Sequence, residues 1–393
     1  MTTLAQALKG KKIPEVNLQP RGPVWTGPNG EGPQGGVTQS LLSRFLVCRE
    51  RFRLLIVEGI KPADSFSHRL EFGSCWHVCE EQLAKYGGNL QSQAVERALA
   101  EYGRQLCKRY PTQQGEIDKY YQLCKAMFPL YVKHWSKNKD QKDKTPLLAE
   151  QMFDVPYKLP SGRTVRLRGK WDGVNLVSKG RAAGIRLFET KTKGDIDEQQ
   201  ITSQLSFDLQ TMMYLVALQT QMESEPMENE LGKPALRAAD GTALSDAPIA
   251  GVDYNVIRRP LSGGKGDVRL GKDESIAHLC ERLQEKIREW MATPDAPDGW
   301  FYRWKVEISQ EDIAKFKRQC LDPILEQLCD WWQVVNDDGN CKVWGGAKSL
   351  HFRLPYGVWN PLLEGRPSDM DYHLATGSMV GMQRVMNLFP ELQ

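Results

Sequence analysis

The stretch from about residue 148 to residue 193 constrains the fold most, because it alternates strand-like runs with short turn-forming sequences. The first run, LLAEQMFDVPYKL, is followed by the turn-forming PSG and then by RTVRLRGKWDGVNLV. The sequence SKGRAAG then turns the chain into a third run, IRLFETKTK. Strand-like runs that are joined by such short connections pair as antiparallel hairpins. The stretch therefore predicts three neighbouring antiparallel strands.

A helical pattern follows the three runs, and another strand-like run comes after it. In DEQQITSQLSFDLQTMMYLVALQT the apolar residues recur at the three- and four-residue intervals that place side chains on one helix face. The sequence IAGVDYNVIRR, residues 249 to 259, is typical of a further strand. Strands and helices that are interleaved in this way favour the α/β class. We therefore expect a central mixed sheet that is flanked by helices.

The regions before and after this core differ from it in composition. Residues 18 to 36 are dense in Pro and Gly, whereas helical periodicity recurs in VTQSLLSRFLVCRERFRLLIVEGI and in 69–86, 92–109 and 114–138. Near the other end, Ser309 and Asp312 are placed to cap an amphipathic helix. We predict four parts: a flexible lead-in over 1–36, an N-terminal helical region over 37–145, the core over 146–260, and a helical and irregular region over 261–393 that packs on the core.

The composition is that of a soluble globular protein. Hydrophobic residues make up 40% of the 393 residues and charged residues 26%, and the net charge is +3. No apolar run approaches the roughly 20 residues that cross a bilayer, and the first residues lack the apolar segment of a signal peptide. The nine cysteines do not have the spacing of a disulfide framework. We therefore expect a cytoplasmic protein without membrane contact, in which any nucleic-acid-binding surface is local.

Two carboxylates and a lysine lie where the predicted strands end. Asp172, in RGKWDGV, precedes Glu189 by 17 residues, and a hairpin with a seven-residue turn brings the two together. Paired carboxylates bind hard divalent ions such as Mg²⁺. Because residues two apart in a strand share a face, Lys191 points the same way as Glu189 and is placed to act on an attacking water. Taken alone, however, E-x-K is more often a solvated ion pair at the end of a strand.

Further elements accompany these three residues in a fixed order. GSCWHVCEE places His77 on an early helix, QTMMY places Gln210 and Tyr214 four residues apart on a later one, and LLSRFLVCRERFRL contains Cys48 upstream of both. With Asp172 and the E-T-K of residues 189 to 191, this order resembles the PD-(D/E)XK nuclease superfamily, and within it the RecB-type exonuclease branch. The resemblance covers about residues 38 to 218 and is more specific than any single motif.

The resemblance implies a fold and a role for each residue. The expected fold is an α/β, restriction-endonuclease-like core with helical elaborations at both ends. Lys191 would assist the attacking water, and Gln210 and Tyr214 would orient Lys191 or contact the DNA backbone. The expected catalytic residues are thus Asp172, Glu189, Lys191, Gln210 and Tyr214, and the expected ligands of Mg²⁺ or Mn²⁺ are His77, Asp172, Glu189 and the backbone carbonyl of Thr190.

The activity implied by the resemblance is metal-dependent hydrolysis of DNA phosphodiester bonds from an end, in recombination or repair. Compact relatives are often encoded by phages or mobile elements beside a single-strand annealing protein, so such a partner and a bacterial host cytoplasm are expected; an oligomer is compatible with the sequence. The sequence has no Walker A motif, which favours a nuclease without a fused motor. A structure- or sequence-selective endonuclease and a catalytically idle DNA-binding subunit remain alternatives.

The cysteines bear on two further metal centres. Some RecB-type relatives hold an iron-sulfur cluster with one early cysteine and three close-set late ones, but Cys320, Cys329 and Cys341 are far apart, so no cluster is expected. Cys75 and Cys79 flank His77 without an evident fourth zinc ligand, and we interpret them as buried structural thiols. The late segment HFRLPYGVWNPLLEG is predicted to be held by the packing of Trp344, Phe352, Tyr356 and Trp359.

Overall fold

The computed structural model of the chain describes most of the expected core and the helices around it. In this described part, no helix combines the length and the apolar composition needed to cross a membrane. Cys341 and the aromatic segment that follows it lie outside the described residues. The structure describes residues 23–62, 66–136, 144–178, 183–197, 203, 205, 208–223, 247–264, 267–293, 298–338 and 382–392.

A five-stranded mixed sheet forms the centre of the described structure. Across the sheet the strands are, in order, β2 (Lys144–Lys158), β3 (Thr164–Val177), β4 (Gly184–Lys193), β5 (Ile249–Arg258) and β6 (Phe301–Glu307). The first three are antiparallel neighbours, as predicted. The fourth strand runs parallel to β4, because the chain crosses one face of the sheet between them, and β6 closes the edge antiparallel to β5. Two short strands, β1 (Ile60–Pro62) and β7 (Met382–Arg384), pair separately as an antiparallel ribbon.

The helices agree closely with the periodicity of the sequence. The first helical stretch is interrupted at Cys48, resumes over Arg49–Phe52 and continues as a π-helical turn over Arg53–Val57. The capping box of Ser309 and Asp312 is present at the start of the helix Gln310–Phe316. A second π-helical turn, Lys317–Leu321, joins this helix to the next one, Asp322–Asp338. The described helices are α1 (Gln39–Val47), α2 (Arg49–Phe52), α3 (His68–Tyr86), α4 (Ser92–Arg109), α5 (Gln114–Ser136), α6 (Leu209–Glu223), α7 (Ile276–Ala292), α8 (Gln310–Phe316) and α9 (Asp322–Asp338).

Helices cover both faces of the sheet, each over its own apolar core. On one face, α6 packs on β2, β3 and β5 together with α1 and α9, and this core contains the fully buried Trp171 and Leu187. On the other face, α3, α5 and α7 pack around Phe128 and Phe301. Cys75 and Cys79 are buried in this second core beside Cys124. The α/β class with a central mixed sheet is therefore confirmed.

The described part of the Pro- and Gly-rich lead-in is anchored to the core by buried residues. Trp25 is fully buried, donates from Nε1 to the carbonyl oxygen of Gly36 at 2.9 Å, and packs edge-on against Phe52 and Trp332. Over residues 23–36 the structure has no helix, as expected of the composition, but one large aromatic side chain fixes this part to the core. This corrects the expectation of a flexible lead-in for residues 23–36.

Candidate active site

The site forms where β3 and β4 separate. The two strands pair only over residues 173–177 and 184–188. One residue beyond the paired segment, the Asp172 carboxylate takes the place of a backbone hydrogen-bond acceptor: its Oδ2 accepts the backbone N–H of Thr190 at 2.8 Å. Separating strands leave a cleft that side chains of both can line. Asp172 thus closes the hairpin ladder and opens the cleft.

Glu189, Lys191 and Gln210 form one hydrogen-bonded group at this cleft. The Nζ of Lys191 lies 2.7 Å from Glu189 Oε1 and 2.7 Å from Gln210 Oε1. Gln210 Nε2 in turn donates to Glu189 Oε1 at 2.8 Å. Alternation along β4 points Glu189 and Lys191 to the face that α6 covers, so the first turn of α6 meets both. The sequence-predicted pair is therefore an organised triad with Gln210.

His77 approaches the same cleft from α3, on the opposite face of the sheet. Its Nδ1 lies 3.7 Å from Asp172 Oδ1 and 3.3 Å from Glu150 Oε1. One turn later on the helix, the buried Glu80 accepts hydrogen bonds from Tyr131 and Asn255 at 3.0 and 2.7 Å. These bonds tie α3 to α5 and β5, and so they position His77 beside Asp172.

Glu150 is the site residue that the sequence interpretation missed. It lies on β2 opposite Asp172, between the pairs Ala149–Gly173 and Gln151–Trp171. Its positive φ of 48° is rare for a residue with a side chain, and such conformations often occur at functional sites. The hairpin register could have identified it. Leu159 pairs with Arg163 across the turn, so Glu150, nine residues before Leu159, faces Asp172, nine residues after Arg163.

Burial and the proximity of several charged groups shift the pKa values of the site residues. Burial raises the pKa of Glu189 to about 7, and the charge of Asp172 adds to this effect. Burial also raises the pKa of Asp172. Burial lowers the pKa of His77, but the charges of Asp172 and Glu150 and a hydrogen bond with Glu150 outweigh it and raise this pKa to about 10. A bound cation would relieve this crowding of carboxylates.

A cavity of about 690 Å³ unites these groups. His77, Asp172, Glu189, Lys191 and Gln210 line one part of it, and Thr190 contributes to the same wall. The helix wall approaches closely because residue 73 is glycine: a Cβ there would meet Thr192 Oγ1 at 3.3 Å. The basic residues Arg69, Lys193 and Arg259 line the remainder.

Tyr214 occupies a different position from the other predicted site residues. Its ring packs against Phe153, with centroids 5.2 Å apart, and its hydroxyl is hydrogen-bonded to Gln210 and to the backbone of Lys170. Burial raises the pKa of its hydroxyl, and the charges of Glu189 and Asp172 contribute. Tyr214 therefore lies behind Gln210 and supports it from the core side.

The donors present fit a divalent metal ion. His77, Glu150 and Asp172 each offer a ligand atom, and these atoms lie within 4.8 Å of one another. Glu189 Oε2 is buried and, among the residues that the structure describes, has no hydrogen-bond partner. One nitrogen and several carboxylate oxygens form the mixed donor set that suits Mn²⁺ or Mg²⁺. Lys170 Nζ, 2.5 Å from Glu150 Oε2, balances part of the negative charge.

Comparison with known proteins assigns the chain to a family. The sequence model of the PD-(D/E)XK nuclease superfamily matches residues 37–300, which is more than half of the chain. The chain therefore belongs to the PD-(D/E)XK nuclease superfamily, whose members are metal-dependent nucleases. A search of curated proteins finds no match. The matched region contains strands β2 to β5 of the sheet and every residue named above for the site, and β6 begins directly after it.

Proposed function

We propose that this protein is a Mg²⁺- or Mn²⁺-dependent deoxyribonuclease that degrades DNA from an end. One observation carries the proposal: a single cavity joins a histidine and two carboxylates to a lysine that is held by a glutamine. This combination serves phosphodiester hydrolysis, which needs a divalent ion, an oriented water and a positive charge near the phosphate. A structural ion pair at a strand end does not require these further groups.

His77, Glu150 and Asp172 would hold the metal ion, with Glu189 Oε2 as a further oxygen donor. When bound, the metal ion would activate water and neutralise charge on the phosphate. The Thr190 carbonyl, which we expected among the ligands, remains part of the proposal because Thr190 lines the same wall. All other steps depend on side chains that are already in place.

Lys191 would act as a fixed cation beside the scissile phosphate. Burial lowers its pKa, but the charges of Glu189 and Asp208 outweigh burial and raise the pKa overall, so the amine is protonated at neutral pH. A charged amine can donate hydrogen bonds to the attacking water and to a phosphate oxygen. Gln210 would keep the amine aimed at the cavity, and Tyr214 would support Gln210.

The finer parts of the proposal depend on the order of the sequence elements. Their resemblance to the RecB-type branch supports action from DNA ends, a role in recombination or repair, and a phage or mobile-element origin. It also supports a single-strand annealing protein as a partner. Cytoplasmic location agrees with a DNA substrate in a bacterial host.

The test compares linear and covalently closed circular DNA of the same sequence. Wild type is incubated with Mg²⁺, Mn²⁺ or EDTA beside Glu189→Ala and Lys191→Ala, and Asp154→Asn on β2 serves as a surface control. We expect loss of linear DNA only, in the presence of metal, and retention of activity in the control variant. Each active-site substitution should reduce the rate at least about a hundredfold, because it removes charge stabilisation of the transition state.

Two outcomes would contradict parts of the proposal. Cleavage of the closed circle would show an endonuclease with the same metal site. DNA binding without cleavage under any metal would show an idle DNA-binding subunit, and Glu189 and Lys191 would then be structural.

A further inference from the structure

The end of the cavity away from the metal-ligand candidates is basic. Arg69 reaches it from the first turn of α3, Lys193 from the end of β4, and Arg259 from the residue after β5. The backbone N–H of Arg259 donates to the Lys193 carbonyl oxygen at 2.7 Å, which fixes two of these cations to adjoining strand ends. The proposed catalytic chemistry uses none of the three.

Among the described residues, neither Arg69 nor Arg259 forms an ion pair with a carboxylate. Arg69 is exposed and forms no ion pair within the part of the chain that the structure describes. Arg259 Nε donates to Ser262 Oγ at 3.0 Å. The pKa of Arg259 is lowered by burial first and by the charge of Arg69 second, so the two guanidinium groups repel each other. An anion placed between them would remove that repulsion.

The two carboxylates near the basic end accept hydrogen bonds from backbone N–H groups. Asp267, whose charge acts on Arg259, accepts backbone N–H groups of Leu261, Ser262 and Gly263 at 3.1, 2.6 and 2.9 Å. Asp195, at the exposed rim, accepts the N–H of Ile196 at 3.1 Å. These bonds order the loop after β5 and hold both acids to the backbone. The three cations Arg69, Lys193 and Arg259 outnumber these two acids, so the basic end keeps a net positive charge.

Backbone groups complete the basic end. Gly194 lets the end of β4 approach Ser262 and Arg259 closely, because an added Cβ would lie 2.8 Å from Ser262 Oγ and 2.9 Å from Arg259 Nη2. Ser67, the N-cap of α3, makes no side-chain capping bond in the described structure, and the free N–H groups of that first turn carry partial positive charge. Helix termini of this kind favour phosphate.

We propose that Arg69, Arg259 and Ser262 bind a phosphate group of the DNA strand other than the one that is cleaved. This inference rests on the proposed nuclease function, because it takes DNA as the ligand. The substrate strand then runs from the metal-binding part of the cavity past the end of β4 to the first turn of α3. The phosphate is either internal to the strand or terminal, and both present the same charged oxygens to the arginines.

The test combines protein variants with DNA in which one phosphate is made neutral. Arg69→Gln, Arg259→Gln and Ser262→Ala are compared with Arg97→Gln, which removes an exposed arginine of α4 that does not line the cavity. A methylphosphonate replaces each phosphate near the cleaved bond in turn, and matched strands carry or lack a terminal 5′-phosphate. Binding is measured with Ca²⁺ by fluorescence anisotropy, and KM and kcat are measured with Mg²⁺.

We expect each arginine variant to weaken binding and raise KM about tenfold, because a hydrogen bond to a charged group is lost. For wild type, neutralising one particular phosphate should weaken binding by a similar factor. In the arginine variants that same substitution should have little further effect. Dependence on a terminal phosphate alone would identify the group as terminal, and dependence on an internal methylphosphonate would identify it as internal.

Other outcomes would overturn the inference. If wild type cleaves DNA and the arginine variants match Arg97→Gln, the basic end does not bind phosphate. Equal sensitivity of wild type and variants to every methylphosphonate would mean the same. If wild type binds DNA but cleaves none, the proposed function fails, while the binding measurements still decide on the phosphate site.

Discussion

At the scale of single residues, the two carboxylate oxygens of Glu189 have different surroundings. Oε1 receives hydrogen bonds from Lys191 and Gln210, whereas Oε2 is buried with no partner among the described residues. A buried polar atom without a partner costs free energy in the folded state. This cost is understandable if the free oxygen serves a metal ion and the bonded oxygen keeps the carboxylate from rotating.

Gln210→Ala is expected to lower kcat by about 10- to 100-fold, which is the usual effect of losing a side chain that orients a metal ligand. The substitution removes a donor from Glu189 and an acceptor from Lys191 at once. Steady-state kinetics on linear DNA measure the effect. Gln219→Ala, later on the same helix and bonded to Gln310, is the matched control. Equal activities for the two variants would show that Gln210 does not orient the catalytic group.

Glu150→Gln is expected to weaken Mn²⁺ binding at least about tenfold, because it replaces a charged oxygen donor beside His77 and Asp172 by a neutral amide. Isothermal titration calorimetry of the protein without DNA measures the affinity. Asp154→Asn, four residues later on the same strand, is the control, because Asp154 pairs with Arg166 away from the cavity. Undiminished affinity in Glu150→Gln would mean that His77, Asp172 and Glu189 hold the metal ion without Glu150.

The site residues that the sequence predicted lie close together for a physical reason. Asp172, Glu189 and Lys191 belong to adjacent strands, and strand alternation determines the side on which each lies. His77 and Gln210 come from helices, and no local pattern specifies how a helix rotates over a sheet. Their positions were inferred from resemblance alone. Glu150 has no recognisable motif, and only the hairpin register places it opposite Asp172.

At the scale of elements, a buried ion pair joins β4 to β5. Arg186 Nε lies 2.7 Å from Asp253 Oδ1, and the same guanidinium donates to three backbone carbonyl oxygens, while Lys144 of β2 contacts the other oxygen of Asp253. Parallel strands pair slightly less stably per residue than antiparallel ones. The ion pair therefore reinforces β4–β5, the one parallel strand pair of the described sheet. Asn255, two residues after Asp253, bonds to Glu80 and so anchors α3 to the same strand.

Asp253→Asn is expected to lower the free energy of unfolding by about 3–5 kcal/mol at pH 7, because it leaves buried Arg186 without its anion. Burial raises the pKa of Asp253, but Lys144 and Arg186 outweigh it and lower the pKa. The stabilisation is therefore complete above the unfolded pKa, about 3.9, and lost as the pH falls through the lower folded value. In urea unfolding, the difference between wild type and variant should begin to shrink below about pH 4 and should disappear below the folded pKa.

The control for this measurement is Asp330→Asn. Asp330 is paired with Arg163 at 2.6 Å but is 70% exposed, so its loss should change stability by about 1 kcal/mol or less. If Asp253→Asn behaves like this surface variant at every pH, the buried pair does not stabilise the joint between the strands.

Trp25→Ala is expected to lower the free energy of unfolding by about 3–5 kcal/mol, as for other buried aromatic side chains. The substitution leaves a space between Phe52 and Trp332, so α9 should lose a packing partner as well. Urea unfolding measures the change, and Tyr86→Ala, on an exposed aromatic, is the control. Equal stabilities of the two variants would mean that the segment over residues 23–36 is loosely attached.

Periodicity predicted the helices well and the sheet edge poorly. Helices α3, α4 and α5 were recognised because their apolar positions recur over many turns. Strand β6 was missed because FYRWKVE carries charged residues at alternate positions on an edge, where one face meets solvent. Trp25 shows a related limit: a Pro- and Gly-rich sequence indicates the absence of regular structure, but it does not indicate whether the segment is packed.

At the scale of the whole molecule, the candidate site draws on both helical layers and on three strands of the sheet. His77 comes from one layer, Gln210 from the other, and Glu150, Asp172 and Glu189 from β2, β3 and β4. The complete donor set therefore exists only in the folded chain. A metal ion that binds this set should stabilise folding as a whole and should leave the unfolded chain unaffected.

Mn²⁺ at a hundred times its dissociation constant is expected to raise the free energy of unfolding by about 2.7 kcal/mol. Excess EDTA should reverse the increase. Thermal or urea unfolding with and without Mn²⁺ measures it, and Asp172→Asn should lose most of the increment, because Asp172 lies beside His77 and is bonded to the backbone of Thr190 on β4. Asp330→Asn should keep it. An increment of the same size in Asp172→Asn would mean that Mn²⁺ stabilises the fold from a site outside the cavity, and the proposed metal centre would be wrong even if the enzyme requires metal.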